Sequence, residues 1–256
     1  AIFDIKHMEE LSEEGKHLAM SLYRPLETPD GLLRFKLFHI NSPVSLSDAL
    51  PMLENMGLKV DEEHPSSIAR ADVPRVWLHD FSMSYQGDWQ IELDQIKQKY
   101  QDNFALVWQG DVENDGFNRL VLRAELDWRE IVVLRAYSRY MRQAGTLFSS
   151  EYVERALSFN HDITALLIKL FHARFDPEKQ KNSAQQCDKL VGMIETALDE
   201  VESLDEDRIL RYFLSLILAT LRTNHYQLLD NGQPKSYVSF KFDPAKVPDL
   251  PAPRPM

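Results

Sequence analysis

A group of six arginines is the densest set of side chains in this 256-residue sequence that could bind a ligand. The members are Arg119, Arg123, Arg129, Arg135, Arg139 and Arg142. Residues 117–174 carry 9 basic and 6 acidic side chains, in a chain whose net charge is -11. Guanidinium groups bind carboxylates and phosphates through paired hydrogen bonds. Arg119, Arg123, Arg135 and Arg139 therefore form either an anion or interdomain docking site or a set of solvated or paired arginines, and the second interpretation is favoured.

Patterns that would bind a metal are weak. Residues 111–116 (DVENDG) resemble the start of a calcium-binding loop, but Leu122 stands at the twelfth position, where such a loop needs a carboxylate. Turn formation and helix capping are the favoured roles of these acidic residues. No two of the eight histidines are three or four residues apart, the spacing that places two ligands on one helix face. A hydrogen-bonded or surface role is therefore favoured for each, including His79, which precedes Asp80 in a predicted strand.

The sequence lacks the local motifs of nucleotide binding and hydrolysis. Its nine glycines are at least six residues apart, so they spell neither a dinucleotide fingerprint nor a phosphate-binding loop. The patterns HExxH, GxSxG and CxxC are also absent from it. The single cysteine, Cys187, excludes an internal disulfide and is predicted to be an inert thiol. One cysteine fits a reducing, cytoplasmic compartment.

Composition excludes further classes of protein. The fractions of hydrophobic (44%) and charged (27%) residues are those of a globular chain, and the acidic balance argues against nucleic-acid and anionic-membrane partners. The longest strongly apolar stretch, residues 212–221, is about half of what a bilayer requires. Trp128, Tyr137 and Tyr140 stand at helical spacing in apolar stripes, which favours core packing over a stacking platform for bases.

Residues 1–109 show mixed helix and strand periodicity. The predicted elements are a helix over 4–20, a strand over 33–38, a helix from Ser45 or Ser47 to Asn55, strands over 58–62 and 75–85, and a helix over 92–108. The order strand, helix, strand, strand, helix gives five of the six elements of a ferredoxin-like unit. A closing sixth strand is not evident nearby.

From residue 110 onward the pattern is mainly helical. The predicted helices cover 127–143, 149–160, 161–176, 183–202 and 205–226. Alternation over residues 236–243 predicts a strand, and a proline-rich run over 248–255 follows it.

Several strings of residues resemble one family. Residues 115–124 (DGFNRLVLRA), 128–130 (WRE), 134–137 (LRAY), 142–145 (RQAG) and 173–177 (ARFDP) closely resemble the large, very long-chain bacterial NAD-dependent glutamate dehydrogenases. Shorter strings that resemble the same family are 22–25, 77–81, 205–211, 220–224, 239–241 and 247–251.

The resemblance implies an α+β fold: an N-terminal ACT-like (ferredoxin-like) α/β module with a leading helix over 1–109 and a mostly α-helical domain over 110–232. A strand and a proline-rich linker to an absent catalytic domain would follow over 233–256. The strand over 236–243 is expected to belong to the first sheet of that domain, unless it closes the α/β unit.

The resemblance also implies that this chain is a noncatalytic structural or regulatory segment upstream of the catalytic domain. The parent enzyme would convert L-glutamate, NAD and water to 2-oxoglutarate, ammonia and NADH. No catalytic, cofactor-binding or metal-binding residue of the family can be assigned within the segment. Its expected partner is the catalytic domain of the same chain, in a cytoplasmic homo-oligomer without nucleic acid or membrane. The alternatives are a self-standing ACT-type module that senses an amino acid and, with least support, an independent enzyme.

Overall fold

The computed structural model describes residues 2–13, 17–25, 32–70, 73–85, 92–248 and 250. Two compact units divide the chain, Ala1–Leu122 and Arg123–Met256. The predicted fold class is confirmed, since an antiparallel sheet with helices is followed by a mainly helical part. The domain boundaries at residues 109 and 232 stay predictions. The proline-rich run lies mostly outside the described residues.

The first unit is a four-stranded antiparallel sheet with three long helices. Its elements in chain order are α1 (Ile2–Glu13), β1 (Leu18–Tyr23), β2 (Leu32–Ile40), α2 (Leu46–Asn55), β3 (Leu58–Arg70), β4 (Val73–Tyr85) and α3 (Leu93–Gln109). A 3-10 turn (Gly116–Arg119) and the single-turn helix α4 (Leu120–Arg123) come next. The strand order across the sheet is β1-β2-β4-β3.

The segment before β2 differs from its predicted structure. The sequence predicts one helix over residues 4–20, whereas α1 ends at Glu13 and Leu18–Tyr23 forms the strand β1. β1 pairs antiparallel with β2 from Leu18, opposite His39, to Tyr23, opposite Arg34. Because leucines four residues apart suit both a helical and a strand repeat, pairing with a strand elsewhere in the chain decides between them.

β1 is the fourth strand that the sequence did not reveal. It lies at the sheet edge beside β2 and precedes the set of strand, helix, strand, strand and helix. The strand predicted over 236–243 therefore does not close this unit. β3 is also longer than predicted, because it follows β4 as far as Arg70 with mostly exposed, polar residues that show no apolar alternation.

Different helices cover the two faces of this sheet. Phe35 of β2 is fully buried, and its ring meets those of Tyr100 and Phe104 in α3 edge to face, with centroids 5.7 and 5.0 Å apart. On the other face, Leu11 of α1 packs in one buried cluster with Phe38 of β2. Alternation of side chains along β2 therefore fixes which residues meet each helix.

The second unit contains five helices and a small sheet. Its elements in chain order are α5 (Trp128–Gln143), α6 (Ser150–Phe159), α7 (His161–Phe175), a 3-10 segment (Pro177–Asn182), α8 (Ser183–Leu198), α9 (Leu204–Ala219), β5 (Thr220–Thr223) and β6 (Phe240–Phe242). All five predicted helices are present. The glycines Gly110 and Gly145, which follow α3 and α5, have φ of 80° and 100°, the left-handed conformation that commonly ends a helix.

Two elements near the end of this unit differ from their predicted bounds. α9 was expected to continue to residue 226, but it stops at Ala219, where Thr220 turns to extended backbone and begins β5. The strand expected over 236–243 is confined to Phe240–Phe242 and pairs antiparallel with β5. That strand therefore finds a partner within this chain, in a two-stranded sheet separate from that of the first unit.

The first turn of α5 is closed by a reciprocal capping box. The Asp127 carboxylate accepts a 2.9 Å hydrogen bond from the Glu130 backbone N–H, and the Glu130 carboxylate accepts one of 2.7 Å from the Asp127 N–H. We expect Asp127→Ala to lower the free energy of unfolding by about 1 kcal/mol, because helix N–H groups lose their acceptor. Asp127→Asn, which retains an N-cap oxygen, should cost much less in urea titrations. Equal losses for the two variants would contradict this role.

Candidate functional site

The four arginines of the predicted docking site do not share one environment. Arg119 belongs to the first unit, whereas Arg123, Arg135 and Arg139 belong to the second. Arg135 and Arg139 lie one turn apart on α5, but Arg135 is 4% exposed and Arg139 is exposed. None of the three in the second unit is without a partner. A docking role for these residues stays a prediction.

Arg129, a neighbour of that set, contributes to a group of polar side chains that we term the histidine cluster: Arg129, Glu130, His172, His225 and Tyr226. Its members come from the first turn of α5, the last turn of α7 and the segment after β5. No predicted site contains these residues as a group. Sequence separations of 42 to 96 residues between the bonded partners explain why no local motif revealed them.

His172 is the centre of the cluster. Its Nε2 lies 2.8 Å from a carboxylate oxygen of Glu130, and its Nδ1 makes a short hydrogen bond with the Tyr226 hydroxyl. Since an ionised carboxylate only accepts, we assign the ring proton to Nε2, which leaves Nδ1 to accept from Tyr226. The capping box of α5 holds Glu130 in turn. These hydrogen bonds connect the segment after β5 to two helices.

Electrostatics keep the two flanking members of the cluster uncharged. Burial lowers the pKa of His225 to about 4, assisted by the nearby positive charge of Arg129. Burial, and then the negative charge of Asp176, raise the pKa of Tyr226. At neutral pH His225 is therefore a neutral imidazole and Tyr226 a phenol. Because a phenol with a raised pKa is a weak acid, this arrangement favours positioning over proton transfer.

Arg129 connects the same segment to α5 through its guanidinium group. The group donates to the backbone carbonyl of His225 in a short hydrogen bond, and to that of Lys235 at 3.5 Å. A buried carbonyl with such a donor avoids the cost of an unpaired polar group. Burial lowers the pKa of Arg129, which nevertheless stays charged at neutral pH.

Aromatic rings pack beside this cluster. Tyr137, which was predicted to be a core residue, is fully buried and stacks on Phe240 of β6 at 4.5 Å between centroids. Tyr140 stacks on Phe242 at 4.2 Å. The Tyr137 hydroxyl lies 3.0 Å from that of Thr220, the first residue of β5. These tyrosines therefore serve to pack β5 and β6 on α5, and the core prediction for Tyr137 is confirmed.

In the first unit, a buried histidine holds the turn between β2 and α2. His79 is 4% exposed; its Nδ1 lies 2.7 Å from a carboxylate oxygen of Glu63, and its Nε2 accepts a 3.0 Å hydrogen bond from the Val44 N–H. Asn41 makes the turn with φ of 74°, a conformation that asparagine tolerates better than most residues. Asp80 is paired with Arg34 instead, on the opposite face of the sheet, as the predicted strand requires.

The acidic run over residues 111–116 folds as a turn and cap. Asp115 accepts a 3.1 Å hydrogen bond from the Phe117 N–H at the start of the 3-10 turn, and Leu122 is buried. Across the described ranges, no group of three or more His, Cys, Asp or Glu side chains is placed to hold a metal ion. Cys187 is half-buried, and burial raises the pKa of its thiol, which reduces its thiolate fraction.

The described glycines do not form a clustered, phosphate-binding loop. A phosphate-binding loop needs clustered glycines so that backbone N–H groups can approach the phosphates, whereas those described here lie singly along the chain. No helix in the described part of the chain has the length and apolar character needed to cross a membrane.

Three family models match the chain, one after another. Residues 17–96 match "Glutamate dehydrogenase, ACT3 domain", and residues 112–177 match "Glutamate dehydrogenase, helical motif 3". Residues 193–256 match "Bacterial NAD-glutamate dehydrogenase, catalytic domain". This last match begins within α8, ahead of the boundary predicted at residue 233, and it includes α9, β5 and β6.

Curated relatives match over the full chain. It is 41% identical to the NAD-specific glutamate dehydrogenase of Halomonas elongata and 45% identical to that of Pseudomonas aeruginosa. Identity to the NAD-specific glutamate dehydrogenase of Mycobacterium tuberculosis is 34%. Each alignment covers 100% of this chain and 16% of the relative, so the chain spans about a sixth of the length of these proteins.

The fold and the matches define the class of the chain as an ACT-like α/β module followed by helices. Over the part of the relatives that it spans, the chain is similar to bacterial NAD-glutamate dehydrogenases. The recognition made from strings such as residues 115–124 is thereby confirmed.

Proposed function

We propose that this chain acts as a structural or regulatory segment of a large NAD-dependent glutamate dehydrogenase and does not itself perform the chemistry. The supporting observation is the order of the three family matches, an ACT3 domain, a helical motif and the start of a catalytic-domain match. The parent enzyme would oxidise L-glutamate with NAD and water to 2-oxoglutarate, ammonia and NADH. The curated relatives, which are named NAD-specific glutamate dehydrogenases, support this substrate and cofactor.

The geometry of the second unit supports a structural role. The histidine cluster and the stacked tyrosines use their polar and aromatic groups to hold β5 and β6 on the helices. Both strands lie within the catalytic-domain match, which begins at residue 193. The segment would therefore hold the start of the catalytic domain in a fixed position. A cytoplasmic location and a homo-oligomeric parent belong to the same proposal.

A self-standing amino-acid sensor is the second candidate. The anchored turn between β2 and α2 and the ACT3 match favour it over an unrelated function. It accounts for the first unit alone, whereas the family matches continue to residue 256. The segment of a larger enzyme is therefore the better proposal.

The proposal predicts that the 256-residue chain is inactive on its own. We expect no glutamate-dependent formation of NADH, monitored at saturating L-glutamate and NAD, and no quenching or shift of NADH fluorescence by the chain. The complete enzyme that contains this segment serves as the control and should show turnover. Measurable turnover by the 256-residue chain would show that the chemistry lies within it.

A further inference from the structure

Residues 220–242 form one continuous hairpin, which we term the arm. β5 and β6 pair at its base, and next to them the Asn224 side chain donates to the Tyr237 carbonyl (3.1 Å) and accepts from the Ser239 N–H (2.7 Å). Near its tip, Leu229 N–H donates to the Gln233 carbonyl at 2.7 Å. Hydrogen bonds thus connect the two halves of the hairpin both at its base and near its tip.

The inner side of the arm is fixed to the helices. Phe240 and Phe242 stack on tyrosines of α5, and the Arg174 guanidinium donates to the Thr220 carbonyl at 3.3 Å. In the middle of the arm, Arg129 donates to the His225 carbonyl and His172 makes a hydrogen bond with the Tyr226 hydroxyl. Since every one of these contacts lies within the second unit, the position of the arm on the helices is set by this chain.

The arm has four exposed apolar side chains, which together with the exposed Arg222 and Lys241 we term its outer side. Leu221, Leu228, Leu229 and Tyr237 are 48–61% exposed. Single exposed apolar residues are ordinary on protein surfaces, but four within 23 residues of one hairpin indicate an interaction surface. A sheet of two short strands is also marginal on its own, and no third strand joins it in the described part of the chain.

Charge on the outer side specifies the chemistry of the partner. Arg222 and Lys241 lie opposite each other in the β5–β6 register, and both are exposed. Like charges directly across a strand pair repel, and neither side chain has an acidic partner among the described residues. An occupant that presents a carboxylate between these two cations would relieve the repulsion.

We propose that the outer side of the arm is the docking surface for the remainder of the catalytic domain. The arm lies within the residues that match the catalytic-domain family model, and the relatives are about six times as long as this chain. The occupant would place apolar side chains on Leu221, Leu228 and Leu229, and a carboxylate at the Arg222 and Lys241 pair. This inference rests on the proposed function, because it takes the partner to be part of the same enzyme.

Hydrogen–deuterium exchange tests the surface directly. Amides of residues 220–242 should exchange more slowly in the complete enzyme than in the 256-residue chain, whereas those of α6 should exchange alike in both. Equal exchange of the arm in the two proteins would overturn the proposal. Slower exchange in the chain at high concentration, with dimers in sedimentation, would assign the surface to a second copy and overturn it too.

Substitution tests the same surface in the complete enzyme. The double variant Leu228→Ser/Leu229→Ser should lower its unfolding temperature, since apolar side chains that are buried on docking lose that burial when they are replaced by serine. Leu204→Ser, at a 65% exposed leucine outside the arm, is the matched control and should change little. In the 256-residue chain both variants should be neutral, which separates lost docking from misfolding. Equal unfolding temperatures for the double variant and the control in the complete enzyme would overturn the proposal.

Failure of the proposed function is distinguishable from failure of the docking surface. An unvaried complete protein without glutamate-dependent NADH formation would overturn the function alone. Protection of the arm and loss of stability in Leu228→Ser/Leu229→Ser do not depend on turnover. Arg222→Glu adds a check of charge: it should weaken docking if the partner presents a carboxylate, and a stabilised complete enzyme would contradict that chemistry.

Discussion

Phe171→Ala should lower the free energy of unfolding of the second unit by about 3–5 kcal/mol, the cost of truncating a buried phenylalanine. Phe171 is fully buried in α7, and its ring meets those of His225, Phe240 and Tyr137 edge to face at 5.2, 6.3 and 6.4 Å. Phe171 therefore contacts α5 and both halves of the arm hairpin. A cavity there would remove contacts from three elements, and total domain stability is only about 5–15 kcal/mol.

Phe159→Ala is the matched control for this substitution. Phe159 also lies in the second unit, at the end of α6, but it is 71% exposed. Its truncation should change stability by no more than about 0.5 kcal/mol. Urea titrations followed by far-ultraviolet circular dichroism would compare the two variants with the parent chain. A loss for Phe171→Ala similar to that of Phe159→Ala would show that the ring is not the packing centre we describe.

The helices of the second unit were predictable because their signals are local. Asp127 caps α5, and Ser149 caps α6 by accepting a hydrogen bond from the Tyr152 N–H. Such caps act within one helical turn and can be identified without knowledge of the rest of the fold. The boundary between α6 and α7 has no such cap: Asn160 leaves the helical conformation with φ of -96° and ψ of 50°, and its side chain donates back to the Ala156 carbonyl of α6.

The strands were predictable only where a local alternation exists. Residues 33–38 alternate and form β2, whereas residues 18–20 of β1 and all of Thr220–Thr223 were assigned to helices. In both failures the apolar residues also fit a helical repeat, and the partner strand lies elsewhere in the sequence. Pairing across such distances supplies the free energy that selects a strand, and single-sequence periodicity contains no record of it.

The histidine cluster shows the same limit for functional residues. Glu130 was foreseeable as part of a helix start, and His172 as a hydrogen-bonded histidine, but their 2.8 Å contact requires α5 and α7 to be neighbours. One signal was available: His172 interrupts the apolar run of α7 between Phe171 and Ala173, both of which are buried. A polar side chain in that position needs a partner, although the sequence does not say which.

Acid should destabilise the second unit through His225. Its pKa is about 4 in the folded chain and 6.5 in the unfolded chain, so the unfolded state binds more protons between these values. The contribution of this group to stability is therefore complete above pH 6.5 and is lost as the pH falls towards 4. A shift of this size corresponds to about 3 kcal/mol over the whole interval.

His225→Gln should flatten the pH dependence of unfolding between pH 6.5 and 4, because glutamine has no proton to gain. The readout is the slope of the unfolding free energy against pH, which does not depend on whether the substitution itself costs stability. His161→Gln, which removes a histidine at the start of α7 outside the cluster, should keep most of the parent slope. If His225→Gln and the parent chain have the same slope, the neutral imidazole at 225 is not what holds the arm against acid, and the carboxylates of the unit must account for its acid sensitivity.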